Sequence, residues 1–248
     1  MPPRFFVDTV LSPDTDLPLP ESVVRHVQVL RLAPGEPMVL FDGRGGSHAA
    51  TLADIGKRHA VARVGPHDAT ECELPYRVTL AQGIAGGDKM DWLIEKAVEL
   101  GVGAIQPLQT GRAVVRLSGE RAQRRQAHWQ ALVTAACEQC GRNRLPSVAP
   151  VAGLPEWLAT LDPGAGQRLM LSPRATHGLV ALARAQRDDW IARGVVLLIG
   201  PEGGLSPQEE EMAAANGFTP VSLGPRILRT ESAGLACLAA LNAVLGGF

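Results

Sequence analysis

Several familiar fingerprints are missing from this chain of 248 residues. No G-x-G-x-x-G opens a helix and no G-x-x-x-x-G-K-[ST] occurs, so dinucleotide and nucleoside-triphosphate binding have no support. The six histidines, at 26, 48, 59, 67, 128 and 177, make no H-x-x-x-H or H-E-x-x-H spacing. Four cysteines, at 72, 137, 140 and 237, suit a reducing compartment better than a disulfide scaffold. Cys137-x-x-Cys140 lies inside a helical pattern with no second pair, which is weak evidence for zinc, and no metal is expected. No apolar run reaches membrane-spanning length, and Met1-Pro2-Pro3-Arg4 leads into no signal-peptide core, so a cytoplasmic protein is expected.

Lysine is also scarce, with 3 against 21 arginines, and the formal charge of −1 carries no global basic signature. Arginine offers a planar fork for phosphates, but biased coding composition explains such an excess equally well. Local distribution says more. Between Gly111 and Arg144 seven arginines face two acids, a local net of +5. Arg121, Arg124 and Arg125 fit a solvated helix face. Arg112, Arg116, Arg142 and Arg144 flank that helix and are better candidates for RNA phosphates.

In chain order, residues 1–73 read as a small β-barrel built from short strands and glycine turns, with one amphipathic helix over 21–31. Residues 70–75 read as a linker. From Tyr76 strands alternate with helices, the pattern of a parallel sheet with crossover helices. Strands are expected at 76–84, 104–108, 168–171, 195–199 and 219–223. Helices are expected at 88–100, 120–139, 154–161, 178–191, 206–215 and 231–245. The last is apolar nearly all round from Ala233 to Leu245, which implies burial on more than one side and makes a subunit interface a natural candidate.

The most informative stretch runs from Val195 to the last helix. Two strands end there in glycine-proline turns, Gly200-Pro201-Glu202-Gly203-Gly204 and Gly224-Pro225-Arg226, each followed by a helix. Ligands of open α/β sheets sit outside the carboxyl ends of strands, and glycines let backbone groups approach them. No Lys or Arg lies between Gly200 and Ala215, whereas Glu202, Glu209, Glu210 and Glu211 do, so a cationic ligand is favoured over a polyphosphate. The competing reading is a tight turn before a capped helix, because Ser206-Pro207-Gln208-Glu209 forms a capping box.

The motifs I-G-P-E-G-G-L-S-x-x-E and L-G-x-R-I-L-R-x-E-[ST]-A resemble the signature of the bacterial 16S ribosomal RNA uridine-N3 methyltransferases, members of the SPOUT or α/β-knot superfamily. The resemblance extends to residues 89–101 and to His26, Val27, Val29, Leu30 and Arg31. It implies a PUA-like RNA-binding domain over 1–73 and a SPOUT methyltransferase domain over 74–248. In that domain a parallel sheet carries a trefoil knot, and two subunits pair as a homodimer. It implies S-adenosyl-L-methionine as cofactor, gripped by the backbone of knot loops that contain Leu198, Ile199, Gly200, Glu202, Gly203, Gly204, Leu223, Gly224, Ile227, Leu228 and Thr230. The implied substrate is 16S ribosomal RNA in the small ribosomal subunit.

Uracil N3 is a neutral imide nitrogen that must lose its proton, so the site needs a base or a cation that stabilises the anion. Arg229 is the candidate cation and Glu231 the candidate proton acceptor or orienting group. Glu231 also stands at a helix N-terminus, where a carboxylate is favoured anyway. Lys89, at a helix start, is disfavoured by the dipole, and with the motif match it becomes an RNA-contact candidate beside His26, Arg31, Arg112, Arg116 and Arg142. Two other readings stay open: a ribose 2′-O-methyltransferase of similar knot, and a non-catalytic RNA-binding assembly factor.

Overall fold

The computed structural model describes residues 2–162, 164 and 166–248. They divide into two compact units. The first is the chain up to Glu73 together with Thr134–Leu145; the second is Leu74–Val133 with Pro146–Phe248.

The first unit is a five-stranded sheet of β1 (Arg4–Phe6), β2 (Asp16–Pro18), β3 (Pro37–Phe41), β4 (Ser47–Ile55) and β5 (Ala60–Asp68), with helix α1 (Glu21–Val29). The order is β1-β3-β4-β5-β2, antiparallel except for β1 with β3. Two register shifts in the β4–β5 ladder mark bulges, which bend a sheet around its contents. Those contents are Phe5, Met38, Leu40 and Leu52 from the strands and Val23, Val24 and Val27 from α1. Burial of these apolar side chains holds the unit together. Among the described residues β1 and β2 are its unpaired edges, so hydrogen bonds do not close the expected barrel.

The inclusion of Thr134–Leu145 in this unit follows from polar contacts that no sequence signal marked. Glu138 accepts the Phe6 backbone N–H at 2.9 Å, and Arg4 donates to Asn143 Oδ1 at 2.6 Å. Arg142 makes a two-pronged pair with Glu73, its Nε 2.9 Å from Oε1 and its outer nitrogen 2.5 Å from Oε2. The Arg142 side chain is only 4% exposed. A buried, bidentate guanidinium of this kind is structural. This corrects the expectation that Arg142 contacts RNA phosphate. Arg144 is likewise engaged, with Glu71 at 3.0 Å.

The second unit alternates strands and helices: β6 (Val78–Gly83), α2 (Lys89–Glu99), β7 (Ala104–Gln109), α3 (Gly119–Cys140, whose last turns belong to the first unit), β8 (Ser147–Val148), β9 (Ala152–Gly153), α4 (Leu154–Ala159), β10 (Gln167–Leu171), α5 (Leu179–Ala185), α6 (Arg187–Arg193), β11 (Val195–Ile199), α7 (Pro207–Ala215), β12 (Thr219–Val221) and α8 (Thr230–Leu245). Its sheet runs β12-β10-β11-β6-β7-β8, all parallel, with β9 also on β7. Helices α2, α5 and α6 gather around α8. Helices α4 and α7 share a core with Ala81, Met170 and Leu198 of the central strands.

The terminal helix is buried along Ala233, Gly234, Cys237, Leu238, Leu241 and Leu245. Its one buried amide, Asn242, accepts from Tyr76 Oη at 2.5 Å and donates to the Leu100 carbonyl at 2.9 Å. That pairing allows an amide inside an apolar helix. Burial pushes the Cys137 and Cys237 thiols up to about 12. Both are thus core side chains. The expected helix over 178–191 is two helices, broken at Gln186, whose side-chain oxygen accepts from the buried Trp190 Nε1 at 3.0 Å.

Candidate functional site

Strand order explains where the site lies. β10 is central to the trio β12-β10-β11, so three loops emerge side by side at the carboxyl ends of adjacent parallel strands. This is where α/β sheets place ligands. The loops enclose a cavity of about 690 Å³ lined by residues 171–174, 199–205, 222–224 and 226–231, with Arg112, Glu210 and Ala233. The site-candidate residues Ile199, Gly200, Glu202, Gly203, Gly204, Leu223, Gly224, Ile227, Leu228, Arg229, Thr230, Glu231 and Arg112 are thereby brought together. Leu198 is the exception among the cofactor candidates. Its side chain is fully buried in the core below β11 and does not line the cavity.

The loop after β11 is held by its own backbone. Gly204 N–H donates to the Pro201 carbonyl at 2.8 Å, and Gly204 has φ +67°, a conformation most side chains resist. A Cβ on Gly200 would lie 2.8 Å from the Gly204 and Leu205 backbone, and one on Gly203 would lie 3.0 Å from Arg112 Cβ. The glycines at 200 and 203 thus let the loop pack closely on the protein itself while both still line the cavity. At Gly224, with φ +103°, a Cβ would meet nothing within 4 Å, and here the freed space is cavity wall.

A buried hydrogen-bond node ties this loop to the start of α8. Thr230 Oγ1 donates to the Gly200 carbonyl at 2.6 Å and accepts from Gln82 Nε2 at 2.9 Å. Gln82 is fully buried at the end of β6, and its Nε2 also donates to the Gly83 carbonyl at 2.9 Å. The node sets Arg229 and Glu231, on either side of Thr230, against the glycine loop. Loss of a buried hydrogen bond with its partner left behind costs about 1–3 kcal/mol. Thr230→Val should therefore weaken cofactor binding roughly tenfold, with Thr230→Ser near the parent value. Calorimetry on both variants checks this.

Other contacts brace the cavity from distant sequence. Glu202 Oε1 accepts from Lys89 Nζ and from Gly86 N–H, both at 2.9 Å. Burial opposes the Glu202 charge, but the Lys89 ammonium and the backbone amides outweigh it and hold the carboxyl below its usual range. The Ser206–Glu209 capping box is present in both directions, and Glu209 Oε1 additionally accepts the Gly111 N–H at 2.7 Å. Arg112 donates to the carbonyls of Gly203 at 3.1 Å and Leu205 at 3.3 Å. The capped turn is therefore present, and the same stretch also lines the cavity.

The charge of the cavity differs from the sequence expectation. Arg112, Arg174, Arg226 and Arg229 line it against Glu202, Glu210 and Glu231. The acidic run at 202–211 is offset by arginines from other loops, so acidity alone does not select a cation. Glu231 is half-buried in the first turn of α8, and its Oε2 has no hydrogen-bond partner among the described residues.

The RNA candidates are scattered. Lys89 stands at the cavity edge in its pair with Glu202. Arg116 donates to the Gly111 carbonyl at 3.1 Å and braces its own loop. In the first unit, His26 packs edge-on to Phe5 with ring centres 5.3 Å apart. Its Nδ1 is 3.9 Å from Glu138 Oε2. Arg31 is exposed at a left-handed position with φ 57°. Leu171, Ser172, Pro173 and Arg174 line the cavity without any sequence motif having singled them out, and Arg226, a fixed position of the second motif, lines it without having been a site candidate.

Comparison with known proteins decides the lineage. Residues 72–242 match the model of an RNA methyltransferase domain, and residues 19–65 that of an RNA methyltransferase PUA domain. The chain belongs to this RNA methyltransferase family. Ribosomal RNA small subunit methyltransferase E from Synechocystis is 35% identical over 88% of this chain and 69% of its own length. The crystal structure of the protein of the same name from Neisseria gonorrhoeae, bound to S-adenosyl methionine, superposes with a TM-score of 0.90. It is 41% identical over 98% of both chains. A putative methyltransferase from Legionella pneumophila, solved in complex with its cofactor SAM, is similar with a TM-score of 0.88. It is 31% identical over 98% of both chains. The RNA methyltransferase family member described here thus has the SPOUT-type α/β fold with a PUA domain. No helix among the described residues is long and apolar enough to cross a membrane.

Proposed function

We propose that this enzyme methylates N3 of a uridine in 16S ribosomal RNA with S-adenosyl-L-methionine. The observation that carries the reading is the cavity formed by three adjacent strand-end loops, with Arg229 and Glu231 held at its wall by the Thr230 node. The residues fit the cofactor. Gly224 leaves open a space that a Cβ would enter, and the loops at 199–204 and 222–228 present backbone where an adenosine can be gripped. When bound, the cofactor supplies a methyl group on a sulfonium that needs no metal to be transferred. The protein's part is positioning and charge. Arg229 would face the uracil carbonyl oxygens and favour the anion left when N3 loses its proton. Glu231, with an unpartnered buried oxygen, would take that proton or orient Arg229. Incubating the enzyme with unmethylated ribosomal RNA and labelled cofactor, then mapping the modified nucleotide, tests the proposal. Label on a ribose 2′-oxygen would replace it with the sister activity, and bound cofactor without incorporation would favour an assembly factor.

His26 and Arg31 of the first unit, with Lys89, Arg112 and Arg116 of the second, are the side chains proposed to meet RNA. We further infer that the enzyme works in the cytoplasm as a homodimer. Support for pairing comes from α8, whose second face, with Leu235, Ala236, Ala239 and Ala240, is apolar and only half-buried. Leu238 and Leu241 are fully buried, so charging them would test the core rather than an interface. Leu235→Glu should instead yield a folded monomer from a parent that sediments as a dimer at micromolar concentration. A monomeric parent with full activity would refute the pairing.

A further inference from the structure

We propose that Arg174 and Glu210 form a subsite for the zwitterionic amino-acid end of the cofactor, the guanidinium taking its carboxylate and the glutamate its ammonium. The inference rests on the cofactor reading above and deepens it.

The position comes from topology. β10 lies between β12 and β11, so its loop, residues 172–174, stands between the two glycine turns at Gly200 and Gly224. Backbone and glycine make those flanking turns suited to an uncharged adenosine, and they offer little to a carboxylate or an ammonium. The cavity must supply those charges from side chains. Two of its other charged groups are already committed, Glu202 to Lys89 and Gly86 and Arg112 to the Gly203 and Leu205 carbonyls. Arg226 follows the Gly224 turn with no carboxylate paired to it among the described residues. Arg229 and Glu231, on either side of Thr230, are the groups assigned to the uracil under the proposed function.

Arg174 and Glu210 are the complementary pair that both line the cavity and meet each other, at 2.5 Å. The arrangement is built from below. Ser172, 3% exposed, accepts the Arg174 backbone N–H at 3.3 Å and donates to Glu210 Oε1 at 3.5 Å. Its hydroxyl thus fixes one carboxylate oxygen while the other faces Arg174. The pair is partly open, with the Arg174 side chain 67% and Glu210 21% exposed. Ion pairs so exposed contribute little to stability, about 0–1 kcal/mol, so opening this one for a ligand is cheap. An amino-acid terminus carries the same two charges in the opposite sense, so one internal pair becomes two pairs with the ligand. The planar fork of arginine suits the carboxylate.

The test compares two stable thioethers by calorimetry. S-adenosylhomocysteine carries the amino-acid end; 5′-methylthioadenosine keeps adenine, ribose and sulfur but lacks both charges. Parent enzyme should bind the first more tightly. Arg174→Met should weaken S-adenosylhomocysteine by roughly ten- to a hundredfold, as expected for losing a charge-assisted hydrogen bond. It should leave 5′-methylthioadenosine within about twofold, and Glu210→Gln should act in the same direction. Arg174→Lys, which keeps the charge, should fall between and guards against a folding defect. Equal losses for both ligands would make the pair a mere support of its loop and overturn the inference. So would an unchanged preference. A parent that binds neither thioether would instead remove the cofactor reading itself.

Discussion

Gly200→Val should weaken binding of S-adenosyl-L-methionine by about two powers of ten while the protein stays folded. A Cβ at this position lies 2.8 Å from both the Gly204 carbonyl carbon and the Leu205 nitrogen. Neither neighbour is a flexible side-chain end, so the clash can be relieved only by opening the 200–205 turn. The Gly200 carbonyl also accepts the 2.6 Å hydrogen bond from Thr230, so a shift here is passed directly to the start of α8. Overpacking of this kind costs about 1–3 kcal/mol, within the margin of a domain stable by roughly 5–15 kcal/mol. If that cost falls mainly on the cofactor-competent loop, affinity drops by about two powers of ten. Gly86→Ala is the control, because a Cβ there makes only an ordinary 3.6 Å contact with Glu202 and leaves the backbone N–H in place. Calorimetry on variants with parent-like circular dichroism decides the matter. Gly200→Val binding as tightly as Gly86→Ala would show that the loop does not grip the cofactor.

What was legible in the sequence and what was not follows from the range over which each signal acts. The run Val195–Ile199 is recovered residue for residue as β11, because a β-branched stretch ending in glycine is a local statement. The capping box at Ser206 and Glu209 was equally local, and both of its hydrogen bonds are present. Strands of two or three residues, β2, β8 and β9, were missed, since so few positions carry no periodicity.

The third wall of the cavity was missed for a different reason. Ser172, Pro173 and Arg174 follow an expected strand but carry no glycine turn to draw attention. They reach the site only because β10 inserts between β12 and β11, an order that no reading along the chain supplies. Had β10 been placed there from the start, its carboxyl end would have been marked as a site by the rule that marked the other two. The same non-sequential order brings Arg112 and Arg226 onto an acidic stretch, which is why the charge argument from residues 200–215 misjudged the cavity. Arg142 failed through burial. Its partner Glu73 is far away in sequence, and a lone arginine in a basic stretch reads the same whether it faces RNA or a carboxylate.

Arg229→Ala should lower the single-turnover rate of methyl transfer by about two to three powers of ten, the usual effect of removing one donor that stabilises developing charge. Under the proposed reaction the uracil must give up its N3 proton before or during attack, and a fixed guanidinium beside its carbonyl oxygens favours the anion. The backbone of Arg229 is well fixed for this. It caps α8, with its carbonyl accepting the N–H groups of Ser232 at 3.0 Å and Ala233 at 2.8 Å, and it precedes the anchored Thr230. Its side chain lines the cavity beside Glu231. Arg229→Lys keeps the charge and loses the planar fork, so part of the rate should survive. Cofactor affinity should change little in either variant, because under the proposed function the glycine loops grip that ligand through backbone. Saturating RNA separates the two roles open to Arg229. A normal rate for Arg229→Ala once RNA is saturating, with only weaker RNA binding, would make this residue a phosphate contact and leave Glu231 to activate the base without it.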